Sequence, residues 1–159
     1  MDWAALSNFV EHQLDAKLRL AIPSGWRPKV FEAEGAEAAP LHVRPMKQLD
    51  GTYLLRCFYH HYREEIIREI SERPEYAGKP AKRMDAIMQF TTLCHPREVN
   101  SQGKLVVPEA LVKAANLPVP GKVVLLLNEG FFFDIMSRTT FEAVMAVRAA
   151  REPEFSDLF

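Results

Sequence analysis

The chain has 159 residues, 48% of them hydrophobic and 26% charged, with a formal net charge of −1. This is the make-up of an ordinary soluble globular protein, and it excludes a global electrostatic pull toward nucleic acid, so any DNA contact must come from local clusters of Lys and Arg. No apolar stretch is long enough to span a bilayer, the first residues lack the basic start and apolar run of a secretory signal, and Cys57 and Cys94 have no CxxC spacing; a cytoplasmic protein with reduced thiols is expected.

The first readable device is Leu14-Asp-Ala-Lys-Leu-Arg-Leu-Ala-Ile-Pro23, a polar turn running into a short strand over Arg19–Ile22 that Pro23 ends. Pro23–Arg27 is a poor short helix because of Gly25, and residues 32–39, acidic and Ala-rich without periodicity, read as a solvated loop. Two strands are expected at Leu41–Arg44 and Tyr53–Phe58, joined by a loop containing Pro45 and Asp50-Gly51. Residues 60–72 place Ile66, Ile67 and Ile70 on one helical face. The breaker-rich link Arg73–Pro80 leads into a helix from about Ala81 to Phe90, with Lys82 and Arg83 at its start.

The opening device then returns 85 residues further on. Val99-Asn-Ser-Gln-Gly-Lys-Leu-Val-Val-Pro108 aligns without gaps to residues 14–23: an apolar residue, an Asp or Asn, small or polar positions, a base, three apolar residues and Pro. Lys104–Val107 is the strand and Pro108–Ala115 the short helix, Pro being suited to a first helical turn. Lys122–Leu127 and Phe131–Met136 follow as strands about the turn Asn128-Glu-Gly130, the run of Phe131 to Phe133 suggesting burial on both faces, by the core and by a subunit contact. A helix over 137–150, with Ser137 as N-cap and Phe141, Val144 and Met145 on its apolar face, closes the second copy. Each copy thus reads as strand, strand, short helix, strand, strand, helix. Halves this small are marginal alone, so a shared core or oligomerisation is expected.

Chemistry-bearing residues outside the two turns are weakly patterned. Cys57, His60, His61, Cys94 and His95 are metal-ligand types without a zinc-ligand spacing, Gly35 and Gly51 are isolated rather than part of a phosphate loop, and neither a nucleophile elbow nor a carboxylate pair with helical spacing in an apolar setting is visible. No catalytic residue, metal or cofactor is expected, although a site assembled from distant residues is compatible with an α+β chain of this size.

Glu11-His-Gln-Leu-Asp-Ala-Lys-Leu-Arg-Leu-Ala-Ile-Pro23 resembles the opening hairpin of the MraZ family, and Asn100-Ser-Gln-Gly-Lys-Leu-Val-Val-Pro108 is similar to its second D-x-x-G-R-type loop. Gly130-Phe-Phe-Phe-Asp-Ile-Met136 and the following helix resemble the family's last strand and closing helix, so that the likeness covers residues from about 9 to 148. The resemblance implies an α+β fold of tandem AbrB-like swapped-hairpin β-barrel halves with pseudo-twofold symmetry. It divides the chain into an N-terminal repeat (1–75), a linker and helix (76–91), a C-terminal repeat (92–150) and a flexible tail (151–159), in which Phe155, Leu158 and Phe159 are available to pack on a neighbour. It further implies a nucleoid-associated regulator, not an enzyme, that binds double-stranded DNA at promoter direct repeats as a ring-shaped homo-oligomer. Neither a membrane partner nor a small-molecule substrate is implied.

Carried over by motif, the DNA-facing positions are Lys17 and Arg19 in the first loop and Gln102 and Lys104 in the second, supported by Asp15, Asn100 and Gly103. A β-ribbon is an accepted reader of the major groove, and Arg can meet guanine O6 and N7 with two hydrogen bonds. Three positions depart from the pattern. Leu18 stands where the family has Gly, at a cost of roughly 1–2 kcal/mol if that position needs positive φ; Asn100 replaces Asp; and Lys104 replaces Arg, keeping a phosphate-binding charge without the bidentate fork. Asp15 and Arg19 also read as a pair that stabilises the turn, with Lys17 solvated. An AbrB-like interaction module that has lost DNA binding is the alternative function.

Overall fold

Eight strands of alternating or continuous apolar residues close into one antiparallel barrel in the computed structural model, which describes residues 9–23, 26, 39–128 and 132–156. In chain order these are β1 (Phe9–Leu14), β2 (Arg19–Ala21), β3 (Ala39–Lys47), β4 (Tyr53–Tyr59), α1 (His60–Ser71), a 3-10 turn at Pro74–Tyr76, and α2 (Pro80–Thr92). There follow β5 (His95–Val99), β6 (Lys104–Val106), α3 (Glu109–Ala114), β7 (Gly121–Asn128), β8 (Phe132–Met136) and α4 (Arg138–Ser156). Around the barrel the strands run β1-β2-β6-β5-β3-β4-β8-β7, and β7 closes back on β1.

Exchanging β1 to β4 for β5 to β8 leaves that order of neighbours unchanged. Each copy's opening hairpin therefore pairs outward with the other copy: β1 with β7, and β5 with β3. Leu14, opposite Gly121, corresponds to Val99, opposite Ala39; four residues on, Leu125 and Val43 face Ile135 and Cys57. Two pairs consequently join equivalent positions of the two copies, Leu20 with Leu105 and Arg56 with Asp134.

Side-chain alternation explains the two cores. Leu14, Leu20, Val43, Leu55, Val99, Leu105, Val123, Leu125, Phe133 and Ile135 point into the barrel and are fully buried. Val124, Leu126 and Met136 point outward instead, where α4 covers them with Phe141, Val144 and Met145. The uninterrupted apolar run of β7 thus serves both faces, one inside the barrel and one beneath a helix. Helices α1 and α2 pack on each other, and α1 also packs on the outer face of β3 and β4.

The expected strands at 41–44, 53–58 and 122–127, the helices at 60–72 and 81–90, and the short helix after Pro108 are all present, most of them one to three residues longer at their ends. Pro45 does not lie in a loop, as the sequence suggests; it is inside β3, opposite Leu55. The reason is local: β5 pairs with β3 only from Ala39 to Val43, so beyond that point β3 has a free edge on which a missing N–H costs no ladder bond. Ser137 caps α4, its Oγ accepting from the Thr140 amide at 3.2 Å. The short helix expected at 23–27, nearly all of the acidic loop at 32–39, the centre of the turn at 128–130 and Phe131 fall outside the described residues. Among the described residues no helix is long and apolar enough to cross a membrane.

Candidate nucleic-acid interface

The two turns are built alike, atom for atom. In the first, Asp15 Oδ1 accepts from the amides of Lys17 at 2.9 Å and Arg19 at 2.8 Å, while the Asp15 and Leu18 amides donate to the carbonyls of Arg19 and Asp15. In the second, Asn100 Oδ1 accepts from the amides of Gln102 at 3.0 Å and Lys104 at 2.9 Å, while the Asn100 and Gly103 amides donate to the carbonyls of Lys104 and Asn100. An Asp or Asn is required because only a short side chain with a carbonyl-type oxygen reaches both amides. Each tip is also tied to the other copy: the Ile22 amide donates to the Gly103 carbonyl at 2.8 Å and the Val107 amide to the Leu18 carbonyl at 2.9 Å.

Gly103 has φ 75° and Leu18 has φ 64°, so the left-handed conformation that a glycine adopts in the second turn is held by a leucine in the first. Leu18 is half-buried and packs against the barrel core, which offsets part of its strain.

Between the tips, β2 and β6 form a short antiparallel ladder in which Arg19 pairs with Val106, Leu20 with Leu105 and Ala21 with Lys104. Leu20 and Leu105 are buried, so alternation sends Arg19, Ala21, Lys104 and Val106 to the outside. Arg19 and Lys104 are therefore diagonal neighbours on one outward face, roughly 7–8 Å apart at the backbone. The tips themselves sit at opposite ends of this ladder, with Lys17 exposed on one and Gln102 on the other. The four sequence-predicted positions thus lie along a single exposed ribbon.

Arg19 donates from Nε to Asp15 Oδ2 at 2.7 Å with half its side chain exposed, so the pairing across the turn is present and the side chain still reaches solvent. The carboxylate fixes one edge of the guanidinium, and the terminal amino groups have no hydrogen-bond partner among the described residues. The Arg19 amide, with further help from its guanidinium and the Lys17 amide, holds the Asp15 carboxyl below its ordinary value of 3.8. Lys104 has no ion-pair partner among the described residues.

Sequence reasoning missed two neighbours of the ribbon. Lys122, second in β7, stands opposite Gln13, exposed beside the first turn, and Glu98 lies on the outward face of β5 beside the second. The first adds a cation and the second an anion; neither belongs to a motif, and only strand pairing reveals where they lie.

Among the described residues the metal-ligand types do not converge. The Cys57 thiol is fully buried, and burial pushes its pKa up. His60 hydrogen-bonds His42 at 3.0 Å, Cys94 donates to the Phe90 carbonyl at 3.3 Å, and His95 stands in β5. Among the described residues no group of three or more His, Cys, Asp or Glu side chains is placed to hold a metal ion.

No protein-family model matches the chain, and no curated protein does.

Proposed function

We propose that this protein is a sequence-specific DNA-binding transcriptional regulator of the MraZ type. In this reading its barrel is a tandem pair of AbrB-like swapped-hairpin halves, and it acts without enzymatic activity as a ring-shaped homo-oligomer on promoter direct repeats. The observation that carries the reading is the outward β2–β6 ribbon, on which Arg19 and Lys104 share one face between two identically built turns. A ribbon of this width enters a major groove about 12 Å wide, and the unbonded end of Arg19 is suited to a guanine edge. Lys17 and Lys104 add phosphate contacts, and Gln102 brings an amide that can read adenine. One such ribbon binds weakly and with strong salt dependence; several held in one ring, on repeats of matching spacing, gain through effective concentration. That is how a chain of net charge −1 binds DNA.

Mobility-shift titration of the full chain against the DNA upstream of its own gene, at two stated salt concentrations, is the test. Arg19→Ala should lower specific affinity about tenfold or more, the value of one bidentate base contact. Lys104→Ala should weaken specific and random DNA alike and reduce the salt slope by about one phosphate contact. Affinity for the upstream DNA no higher than for random DNA ends this reading.

Two observations favour a second reading, an AbrB-like oligomeric interaction module that no longer reads DNA. Leu18 puts an apolar side chain at the first tip, and Glu98 puts a carboxylate beside the second. Stoichiometric recovery of a single protein partner, together with silence in the mobility shift, would select it.

A further inference from the structure

A cleft of about 460 Å³ opens between the outer face of β3–β4 and the helices α1 and α2, well away from the β2–β6 ribbon. Three arginines, Arg44, Arg56 and Arg73, line it, and among the described residues no carboxylate does. Arg44 and Arg56 stand directly opposite each other on β3 and β4, an arrangement that like charges disfavour. Arg56 is neutralised from behind: its Nε and one terminal amino group meet the two Asp134 oxygens at 3.0 and 3.2 Å, and its guanidinium lies 4.2 Å from the Phe132 ring centre. Arg73 faces Glu75 at 3.8 Å on the exposed rim.

Arg44 has no such partner. No carboxylate lies within ion-pair distance of it among the described residues; one terminal amino group meets only the Met46 sulfur at 2.7 Å, and its Nε is buried with no acceptor. The guanidinium is held in place by the Phe90 ring, 5.3 Å from its centre. A half-buried cation beside a second cation, with a buried donor unsatisfied, is costly unless an anion completes it. Beside the arginines stand the aromatic rings of Phe90, Phe132 and Tyr62, and the volume falls in the range of small-molecule sites.

We propose that this cleft binds a small organic anion carried on a flat apolar body, with Arg44 seating the anionic group and the aromatic walls taking the body. Carboxylate and phosphate monoester anions share the required chemistry: two oxygens in a plane to accept from one guanidinium. A bare inorganic anion leaves the aromatic walls uncovered, and a neutral aromatic leaves Arg44 uncompensated. The site is independent of the DNA reading and can be examined without DNA.

Isothermal titration of the full-length protein with phenyl phosphate and with benzoate, against inorganic phosphate and benzyl alcohol, tests the proposal. Saturable binding of at least one aromatic anion is expected, about tenfold or more tighter than either control. Arg44→Gln should weaken that binding about tenfold or more, and Ala86→Phe, which adds bulk to the cleft from α2 and retains Arg44, should abolish it. Thermal unfolding of both variants accompanies the titration, so that a variant which fails to fold is set aside for the other. The proposal is overturned by absence of binding for both aromatic anions, by controls that bind as well, or by wild-type affinity in a folded variant.

Discussion

Leu18 holds φ 64° in a turn whose twin has Gly103 at φ 75°, and the two residues bear that conformation at different cost. A side chain there is disfavoured by roughly 1–2 kcal/mol, a penalty Gly103 avoids and Leu18 carries. Gly103→Ala should therefore destabilise the fold by about 1–2 kcal/mol. Leu18→Gly relieves the same strain but gives up half-buried apolar surface and adds chain freedom to the unfolded state, so its net effect should lie within about 1 kcal/mol of zero. Urea unfolding of both variants checks this asymmetry, and equal losses would contradict it. The neighbouring Asp15 makes a pH prediction. Its carboxyl is held below 3.8 in the folded state, first by the Arg19 amide, so its contribution is complete above that value and fades as pH falls through the lower, folded-state value. Asp15→Asn, which copies Asn100 and keeps both amide bonds, should flatten the dependence of stability on pH below 3.8 while leaving neutral stability nearly unchanged. Parallel acid melts of the two proteins read it. Both effects trace to residues the sequence singles out, because turn chemistry is local and two aligned copies expose the odd member.

At the scale of elements the sequence is legible wherever one residue punctuates the chain. Pro108 ends β6 and precedes α3, and the polar turns open both hairpins. Pro45 misleads because the same residue type reads as a breaker in a central strand and is harmless on a free edge, and which of the two applies depends on where β5 stops. The start of α4 shows the local rule at work. Ser137 Oγ takes the Thr140 amide, and the Phe141 amide bonds the Ser137 carbonyl, setting Phe141 over the outer core. Ser137→Ala should cost about 1 kcal/mol and Ser137→Gly only a few tenths, since glycine leaves the amide open to water. Chemical denaturation separates the two, and a glycine variant as weak as the alanine one would show that the cap bond is not the source. Of the candidate site, the repeat marks the two turns in which the four motif positions stand, and the resemblance alone singles those positions out, whereas Lys122 and Glu98 reach the ribbon only through cross-strand neighbours.

For the whole molecule, the repeat tells that two like units exist but not how they meet. Which strand joins which is set by contacts far apart in sequence: Leu20 meets Leu105, and Arg56 meets Asp134 across 78 residues. These two pairs differ in kind. Leu20 and Leu105 are identical residues at equivalent positions, so that crossing would suit two copies of either half; Arg56 and Asp134 are opposite charges at equivalent positions, and a half paired with its own copy would set arginine against arginine or aspartate against aspartate. With the Asp134 side chain 3% exposed, such a self-pairing buries like charges, and the ion pair thereby selects the union of unlike halves within one chain. Arg56→Asp imposes that forbidden pairing on the full chain and should cost at least about 3 kcal/mol at neutral pH. Part of the loss should return toward pH 4–5, because two facing carboxyls share a proton and their folded-state pKa is raised, so protonation favours the folded form. Arg56→Met with Asp134→Leu removes both charges and should unfold within about 1 kcal/mol of the wild type, since apolar residues of similar size replace a buried pair at little cost. Urea unfolding of the three proteins at pH 7 and pH 4.5 decides the matter. An Arg56→Asp chain as stable as the wild type would mean that the barrel closes in this order for reasons other than charge.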